Sequence, residues 1–299
     1  MKFVHFDDIK ISKLCLGTVQ FGLNYGIANT KGKPSQQMVN DIIDYVCAEE
    51  INCFDTAQAY GNSQVVLGVS LNEKKNNFII SKLKSELFKS NAIEEVKKSL
   101  KDLNAESLFA LLLHDSKLLA TWNAKDSLMV EQLICSKKIK YFGVSIYTQE
   151  DFDLAIENDN ISFIQIPFNL FDQRAIEHNW FIRAKQKNKL IFIRSIFLQG
   201  LLLMGKNTIP QKLASIHQYI DKLERLCFEY GLTRSQLSLS FVDTIAKDSL
   251  LLFGCDNLDQ AQQNVKNFNN LQYLDNKILE TLISEFKHID EKLYNPTLW

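Results

Sequence analysis

The chain lacks the patterns that identify several common classes of protein. Its six cysteines form no Cys-x-x-Cys pair, so neither a zinc knuckle nor a redox dithiol is indicated. Its five histidines show no His-x-His or His-Glu-x-x-His spacing, and we expect no bound metal. The sequence has no apolar run of about 18 residues and no amino-terminal segment that resembles a signal peptide. We therefore expect a cytoplasmic protein with reduced thiols that does not bind a membrane.

The chain also has no excess of positive or negative charge. The sequence has 34 basic and 35 acidic residues, a net charge of −1 and no basic block. Because nucleic acid is recognised by clustered positive charge, we do not expect it as a partner. With 46% apolar residues in 299, the chain is long and apolar enough for a large core. The sequence leaves the oligomeric state open.

Glycine-rich phosphate loops are absent as well. No Gly-x-Gly-x-x-Gly follows the first predicted strand, which disfavours a doubly wound open sheet. Gly200 to Lys206 has the glycine spacing of a P-loop, but its interior is Leu-Leu-Leu-Met. Asn207 stands where a P-loop has Ser or Thr, so we exclude a P-loop here.

What the sequence does contain is a regular alternation of strand and helix patterns. Residues 1–11 predict a small hairpin, and residues 23–34 predict a long loop. Eight apolar runs predict core strands at 13–17, 51–55, 77–81, 107–113, 140–144, 162–167, 189–194 and 249–253. Helical patterns begin after Ser35 and then cover 62–71, 91–103, 124–138, 148–158, 172–187, 211–230, 233–246, 257–267 and 275–292. Eight β-then-α units predict an α/β fold, a (β/α)8 TIM barrel that occupies residues 1–299 as a single domain.

Local signals predict where several helices begin and end. Asn91 with Glu94 and Thr233 with Gln236 have the spacing of capping boxes, which mark helix starts. Gly231 is predicted to end the helix at 211–230.

Polar side chains stand at the ends of three successive predicted strands. Asp55 ends the second strand, Lys82 follows the third and His114 follows the fourth, while Tyr60 lies five residues after Asp55. Each has an ordinary explanation when taken alone: the acid as a helix cap, the lysine in solvent, the histidine and phenol in packing. Since the carboxyl ends of barrel strands meet on one face, their joint occurrence predicts one site there.

These residues belong to a longer ordered series, which comprises Gly17-Thr18, Phe21-Gly22, Asp55-Thr-Ala-x-x-Tyr60-Gly61, Ser81-Lys82, His114, Gly143-Val-Ser145, Gln165, Ser195-x-x-x-x-Gly200-Leu, Gly254 and Gln260-x-x-x-Asn264. The series resembles the aldo-keto reductase family of NADPH-dependent carbonyl reductases over nearly the whole chain. The stretch from Gly17 to Asn29 is similar to a bacterial branch associated with surface-sugar biosynthesis.

A carbonyl reduction needs a hydride and a proton. Side chains supply no hydride, so a nicotinamide must. A phenol with an ordinary pKa near 10 needs a nearby cation, which Lys82 supplies and Asp55 would hold in place. The resemblance implies that Tyr60 is the general acid in reduction and the base in oxidation, and that His114 orients the carbonyl.

The resemblance also implies NADPH as the cofactor, without excluding NADH. It places the nicotinamide at Ser145 and Gln165, the pyrophosphate along Ser195 to Gln199, and the adenosine end at a helix amino terminus. The implied cofactor residues are Gly17, Thr18, Ser145, Gln165, Arg194, Ser195, Phe197, Gln199, Gly254, Asp256, Asn257, Gln260, Gln263 and Asn264.

Several positions depart from the family pattern. Ile146 replaces a frequent Asn, and Arg194 replaces the aromatic residue that stacks on the nicotinamide, where its guanidinium plane can stack instead. Gln260 replaces a frequent Arg beside Asp256, and a 2′-phosphate needs a cation that Lys266 would have to supply. Preference between NADPH and NADH therefore stays open.

The substrate is expected to be a small carbonyl compound. We expect Tyr25, Lys84 and Asn169 to contact the substrate. Lys84, Arg194 and Asn169 make the expected pocket polar, which favours a polar or sugar-like aldehyde or ketone. Two alternatives remain: a cofactor-binding sensor or regulatory subunit on the same barrel, and a lyase or isomerase that uses Lys82 as a Schiff base.

Overall fold

The amino-terminal segment forms an antiparallel hairpin. The computed structural model describes residues 1–72, 74 and 76–299, and in it β1 (Phe3–Phe6) pairs with β2 (Ile9–Ser12). Three hairpin side chains pack into the core inside the barrel described next: Val4, Phe6 and Ile11. The Tyr141 hydroxyl donates a 2.6 Å hydrogen bond to Asp7 at the hairpin turn. The hairpin therefore closes the end of the barrel where the strands begin.

Eight parallel strands form a closed barrel, as the sequence predicted. They are β3 (Leu14–Gly17), β4 (Cys53–Asp55), β5 (Phe78–Leu83), β6 (Leu108–Leu113), β7 (Ile139–Ser145), β8 (Phe163–Pro167), β9 (Leu190–Arg194) and β10 (Leu250–Phe253). Each pairs with the next along the chain, and β10 pairs with both β9 and β3. Strands buried on both faces are continuously apolar, as in β6, where every residue is buried.

Side chains along each strand point alternately into the barrel and out of it. One buried cluster fills the inside, and its strand residues include Cys15, Cys53, Ile80, Leu112, Phe163, Phe192 and Leu252. Because strand side chains have a period of two, the positions two residues further along also point inward. Those positions are Gly17, Asp55, Lys82, His114, Gln165, Arg194 and Gly254. The apolar core is thus capped by a polar layer at the carboxyl ends of the strands.

Helices surround the barrel and cover its outer face. They are α1 (Val19–Gly22), α2 (Gln36–Ala48), α3 (Ser63–Leu71), α4 (Ser85–Asp102), α5 (Ala124–Cys135), α6 (Gln149–Glu157), α7 (Arg174–Glu177), α8 (Trp180–Gln186), α9 (His217–Tyr230), α10 (Arg234–Ile245), α11 (Leu258–Asn269), α12 (Asn276–Phe286) and α13 (Glu291–Tyr294). Short 3-10 turns lie at Leu119–Thr121, Leu198–Leu203, Lys206–Thr208, Gln211–Ile216 and Pro296–Leu298. None of the helices in the described part is both long and apolar enough to cross a membrane.

Most of the local signals behave as expected. Ser35 caps α2 by accepting from the Met38 amide, Thr233 forms its capping box on α10, and Gly231 ends α9 at a φ of 65°. Such signals act within a few residues, so the sequence alone is enough to read them.

Four predicted helices differ from the structure. The helix expected at 91–103 begins at Ser85, and Asn91 lies at a kink inside it (φ −159°, ψ 45°) instead of capping it. The segment expected as one helix at 172–187 is two helices, α7 and α8, separated where Asn179 has a φ of 56°. The pattern at 211–230 begins as a 3-10 turn, and the pattern at 275–292 divides into α12 and α13. The predicted helix at 91–103 was too short, whereas the other three were too long, because apolar periodicity does not show where the backbone changes conformation.

Candidate active site

A buried ion pair lies at the centre of the polar layer. The Lys82 ammonium lies 2.5 Å from a carboxylate oxygen of Asp55, and both residues are almost fully buried. Lys82 also donates to the Thr56 carbonyl at 3.1 Å, and the Gln165 amide donates to the other Asp55 oxygen at 2.9 Å. Burial lowers the pKa of Lys82, but the charge of Asp55, the neighbouring Tyr60 and the hydrogen bonds to both together outweigh burial and leave the pKa above its ordinary value. Lys82 is therefore a fixed, buried cation at neutral pH.

Tyr60 lies directly against this cation. Its hydroxyl is 3.4 Å from the Lys82 ammonium, and its ring meets the His114 ring edge-on, with centroids 5.4 Å apart. Burial raises the pKa of Tyr60, and the charge of Lys82 offsets part of that rise. The phenol thus keeps its proton at neutral pH, and the Lys82 ammonium is in position to stabilise its anion.

His114 is a neutral imidazole at neutral pH. Burial, followed by the positive charges of Lys82 and Arg194, lowers its pKa to about 4. A neutral imidazole carries one N–H, so His114 can donate one hydrogen bond to a bound oxygen without bringing charge.

Two glycines set the position of the Tyr60 loop. A Cβ at Gly22 would run into the Tyr60 carbonyl oxygen and come within 2.7 Å of the Ser63 amide nitrogen. Gly61 has a φ of 58°, and a Cβ there would lie 2.5 Å from the Gly22 carbonyl oxygen. The loop can pack this closely on α1 only because both positions lack a side chain.

We expect Gly22→Ala to lower turnover by tenfold or more, because the methyl group must push the Tyr60 backbone away from its place beside Lys82. Steady-state kinetics with an aldehyde substrate would measure the loss. Gly205→Ala is the matched control, since the nearest atom to its added Cβ is 3.9 Å away. Equal kinetics in the two variants would contradict this account of the loop.

A cavity of about 830 Å³ opens above the ion pair. It extends from the reactive side chains to the amino terminus of α11. It is lined by most of the predicted site residues: Gly17, Thr18, Tyr25, Asp55, Tyr60, His114, Ser145, Gln165, Arg194, Ser195, Phe197, Gln199, Gly254, Asp256, Gln260, Gln263 and Asn264. Its size suits a dinucleotide together with a small substrate.

Four predicted site residues do not line this cavity. Lys82 lies buried beneath it, and Asn257 caps α11 by accepting from the Gln260 amide at 2.9 Å. Asn169 is fully buried and donates to the Ser195 carbonyl at 3.0 Å, and Lys84 is exposed. The placement of Lys84 and Asn169 gives no support to a direct contact with substrate.

The cavity also contains residues that the sequence pattern did not single out. Tyr147 lines it, with the Arg194 guanidinium 4.0 Å from its ring centroid. Gln20 lines it too, and its side-chain oxygen is buried without a hydrogen-bond partner among the described residues. Gln20 belongs to the Gly17–Asn29 stretch, so that motif could have identified it as a cavity residue. No motif in the sequence includes Tyr147.

The far end of the cavity fits a nicotinamide dinucleotide. The unpartnered Gln20 oxygen lies beside Gly254, where an added Cβ would meet the Gln20 side chain. Ser195, Leu198 and Gln199 all have φ values between 50° and 63°, the left-handed region that residues other than Gly, Asn and Asp seldom adopt. The amino terminus of α11 adds free backbone N–H groups, which favour phosphate oxygens.

Comparisons with known proteins identify the family and the fold. The model of the aldo/keto reductase family matches residues 13–283. An aldo-keto reductase from Bacillus halodurans in its holo form has 18% identity and a TM-score of 0.76 over 100% of both chains. A glycerol dehydrogenase from Gluconobacter oxydans has 21% identity and a TM-score of 0.73 over 98% of this chain and 96% of its own.

An aldo/keto reductase from Klebsiella pneumoniae in complex with NADP and acetate has 20% identity and a TM-score of 0.71, over 99% of this chain and 96% of its own. At such identities these structural similarities establish the fold. A search of curated proteins finds no match to the chain.

Proposed function

Because the chain belongs to the aldo/keto reductase family, whose reaction is NAD(P)H-dependent carbonyl reduction, we propose that it reduces a polar aldehyde or ketone with Tyr60 as the proton donor. The observation that carries this proposal is the 3.4 Å approach of the Tyr60 hydroxyl to the buried Lys82–Asp55 pair at the cavity. A phenol placed between a fixed cation and a large cavity can give a proton to a bound oxygen and be stabilised as its anion.

The bound nicotinamide supplies the hydride. The substrate oxygen accepts hydrogen bonds from the Tyr60 hydroxyl and from His114, which orient the carbonyl. As negative charge grows on that oxygen, Tyr60 transfers its proton to it, and Lys82 stabilises the phenolate left behind. Asp55 keeps the Lys82 ammonium in place. In oxidation the same groups act in reverse, and Tyr60 takes the proton.

The cofactor is held by residues along the cavity. Ser145 and the side-chain oxygen of Gln165 would bind the carboxamide, since the side-chain N–H of Gln165 already donates a hydrogen bond to Asp55. The side chain of Ile146 is apolar, so it offers the carboxamide no hydrogen bond. The loop Ser195–Gln199 and the start of α11 would hold the phosphates.

We infer NADPH as the reductant from the family and from the relative whose structure contains NADP. At the α11 end, Gln260 and Asp256 hydrogen-bond to each other, and Lys266 is exposed and does not line the cavity. Among the described residues, Arg194 is the one Lys or Arg that lines it. NADH should therefore be measured alongside NADPH.

The Schiff-base alternative has no geometric support. Lys82 is 1% exposed, its ammonium is paired with Asp55, and it lies beneath the cavity instead of lining it. A lysine that forms a Schiff base must be neutral and reachable, and here the pKa of Lys82 is raised.

The direct test is oxidation of NADPH, and separately NADH, by the purified protein with simple and sugar-derived aldehydes. We expect turnover with polar aldehydes that is lost in the Tyr60→Phe variant. Tight nucleotide binding without turnover on any carbonyl would favour the sensor alternative and contradict the proposal.

The reduction rate should be nearly independent of pH from about 5.5 to 9. His114, with a pKa of about 4, is neutral over this range, and burial keeps Tyr60 protonated. Oxidation of the alcohol needs ionised Tyr60, so its rate should rise with pH by up to tenfold per unit below the pKa. Profiles of kcat/KM against pH in both directions would check this. A reductive profile that falls with a midpoint between pH 6 and 8 would contradict the assigned protonation states.

A further inference from the structure

Arg194 forms no salt bridge with an acidic residue in the described part of the chain. One of its terminal nitrogens donates to the Ile146 carbonyl at 3.0 Å, and its guanidinium lies over the Tyr147 ring at 4.0 Å. No carboxylate lies within salt-bridge distance of Arg194 among those residues. Its remaining N–H groups are therefore available at the cavity that it lines.

The buried acid Asp172, whose charge interacts with Arg194, is already paired with another residue. Asp172 is fully buried and binds Arg174 through two hydrogen bonds of 2.8 and 2.6 Å. Arg174 in turn donates to the Tyr147 carbonyl at 2.7 Å. This pair therefore braces the Tyr147 segment on which Arg194 rests. Asp172 also interacts with the charge of Arg194, but its hydrogen bonds go to Arg174 and not to Arg194.

The side chains around Arg194 are all able to donate hydrogen bonds. Tyr25, Tyr60, His114 and Tyr147 line the same end of the cavity. Burial and the neighbouring Tyr60 raise the pKa of Tyr25 to about 12, so its hydroxyl keeps its proton. The one carboxylate that reaches this end, Asp55, is paired with Lys82. A rigid cation among neutral donors is the environment that an anionic group prefers.

We propose that the substrate carries, besides its carbonyl, a carboxylate or phosphate group that binds Arg194. This inference rests on the proposed reductase function and narrows its substrate class. The carbonyl lies at Tyr60 and His114, and the anionic group supplies the charge that Arg194 lacks. Because the guanidinium is held by Ile146 and Tyr147 before substrate arrives, little ordering is needed on binding.

The test uses two aldehydes of equal chain length, butanal and succinic semialdehyde, which differ in a terminal methyl or carboxylate. Kinetics are measured with NADPH for the wild-type protein and for Arg194→Gln. Lys117→Gln, an exposed lysine outside the cavity, is the control for loss of one positive charge. The dissociation constant of NADPH is measured by fluorescence for each protein. Binding of succinate is measured by calorimetry at low and high salt.

We expect wild type and Lys117→Gln to prefer succinic semialdehyde in kcat/KM by about 10- to 100-fold. Arg194→Gln should lose that preference, because its kcat/KM should fall by about 10- to 100-fold more on succinic semialdehyde than on butanal. Succinate binding should weaken with salt in wild type and be lost in Arg194→Gln.

Other outcomes overturn the inference in distinct ways. No preference in wild type would show that Arg194 has no anionic partner. An equal loss on both aldehydes together with weaker NADPH binding would assign Arg194 to the nicotinamide instead. If no aldehyde is turned over, the proposed reductase function fails, but calorimetry still tests the anion site. Succinate binding that is equally strong in wild type and in Arg194→Gln would refute that site.

Discussion

Tyr60→Phe should lower kcat for aldehyde reduction by about 10²- to 10⁴-fold, the usual contribution of a general acid. The change removes one oxygen and leaves the ring against His114, so the cavity and the Lys82–Asp55 pair keep their shape. Affinity for NADPH should stay within about threefold, because the ring remains. Stopped-flow single turnovers with saturating NADPH would separate the chemical step from product release.

Tyr273→Phe is the matched control, because Tyr273 is 79% exposed and does not line the cavity. It should leave kcat and KM unchanged. Turnover in Tyr60→Phe close to that of wild type would remove Tyr60 from the role of proton donor, and the family assignment alone could not restore it.

The arrangement behind this prediction was largely readable from the sequence. In a parallel barrel, consecutive strands are neighbours, so polar residues that end successive apolar runs must meet. The strand register pairs Asp55 with Ile80, so Lys82 is the next inward-pointing residue of β5 beyond the level of Asp55. Knowledge of the fold class was thus sufficient to bring Asp55, Lys82 and His114 to one face, although it gave no distances.

The sequence was less informative where side-chain direction decides the outcome. Asn169 follows a strand end like the other site residues, yet its side chain turns back to hold the Ser195 carbonyl and two neighbouring amides. Lys84 lies two residues beyond Lys82 but points to solvent after the strand has ended. Period-two alternation is not a reliable guide once the strand has ended, since His114 directly after β6 lines the cavity whereas Lys84 directly after β5 does not.

Tyr147 shows a second kind of limit. No motif marks it, and it enters the cavity because the buried Asp172–Arg174 pair holds its backbone from another segment. Contacts between segments distant in sequence leave no local pattern. The departure at Arg194 was visible in the sequence, but its resting place on Tyr147 was not.

Lys82→Met should reduce both stability and turnover. The substitution keeps most of the side-chain volume but leaves the Asp55 carboxylate buried without its cation, which costs about 3 to 5 kcal/mol in the free energy of unfolding. Urea denaturation at pH 7 would measure this loss of stability. That pH is well below the raised pKa of Lys82, so the wild-type ion pair is fully charged. Turnover should fall because Tyr60 loses the cation that stabilises its anion.

Lys13→Met is the matched control, since Lys13 pairs with Asp243 away from the cavity. It should lose stability without losing turnover, because its charge is not the one that Tyr60 uses. A comparable loss of turnover in Lys13→Met would show that the effect at Lys82 comes from general destabilisation.

The double variant that combines Asp55→Asn with Lys82→Met tests the cause of the lost stability. With both charges removed, the oxygen of the introduced asparagine side chain can still accept from the Gln165 amide, which donates to Asp55 in the wild-type protein. The double variant should therefore be more stable than Lys82→Met alone while remaining as inactive. A double variant less stable than Lys82→Met would show that the loss does not arise from an unpaired Asp55.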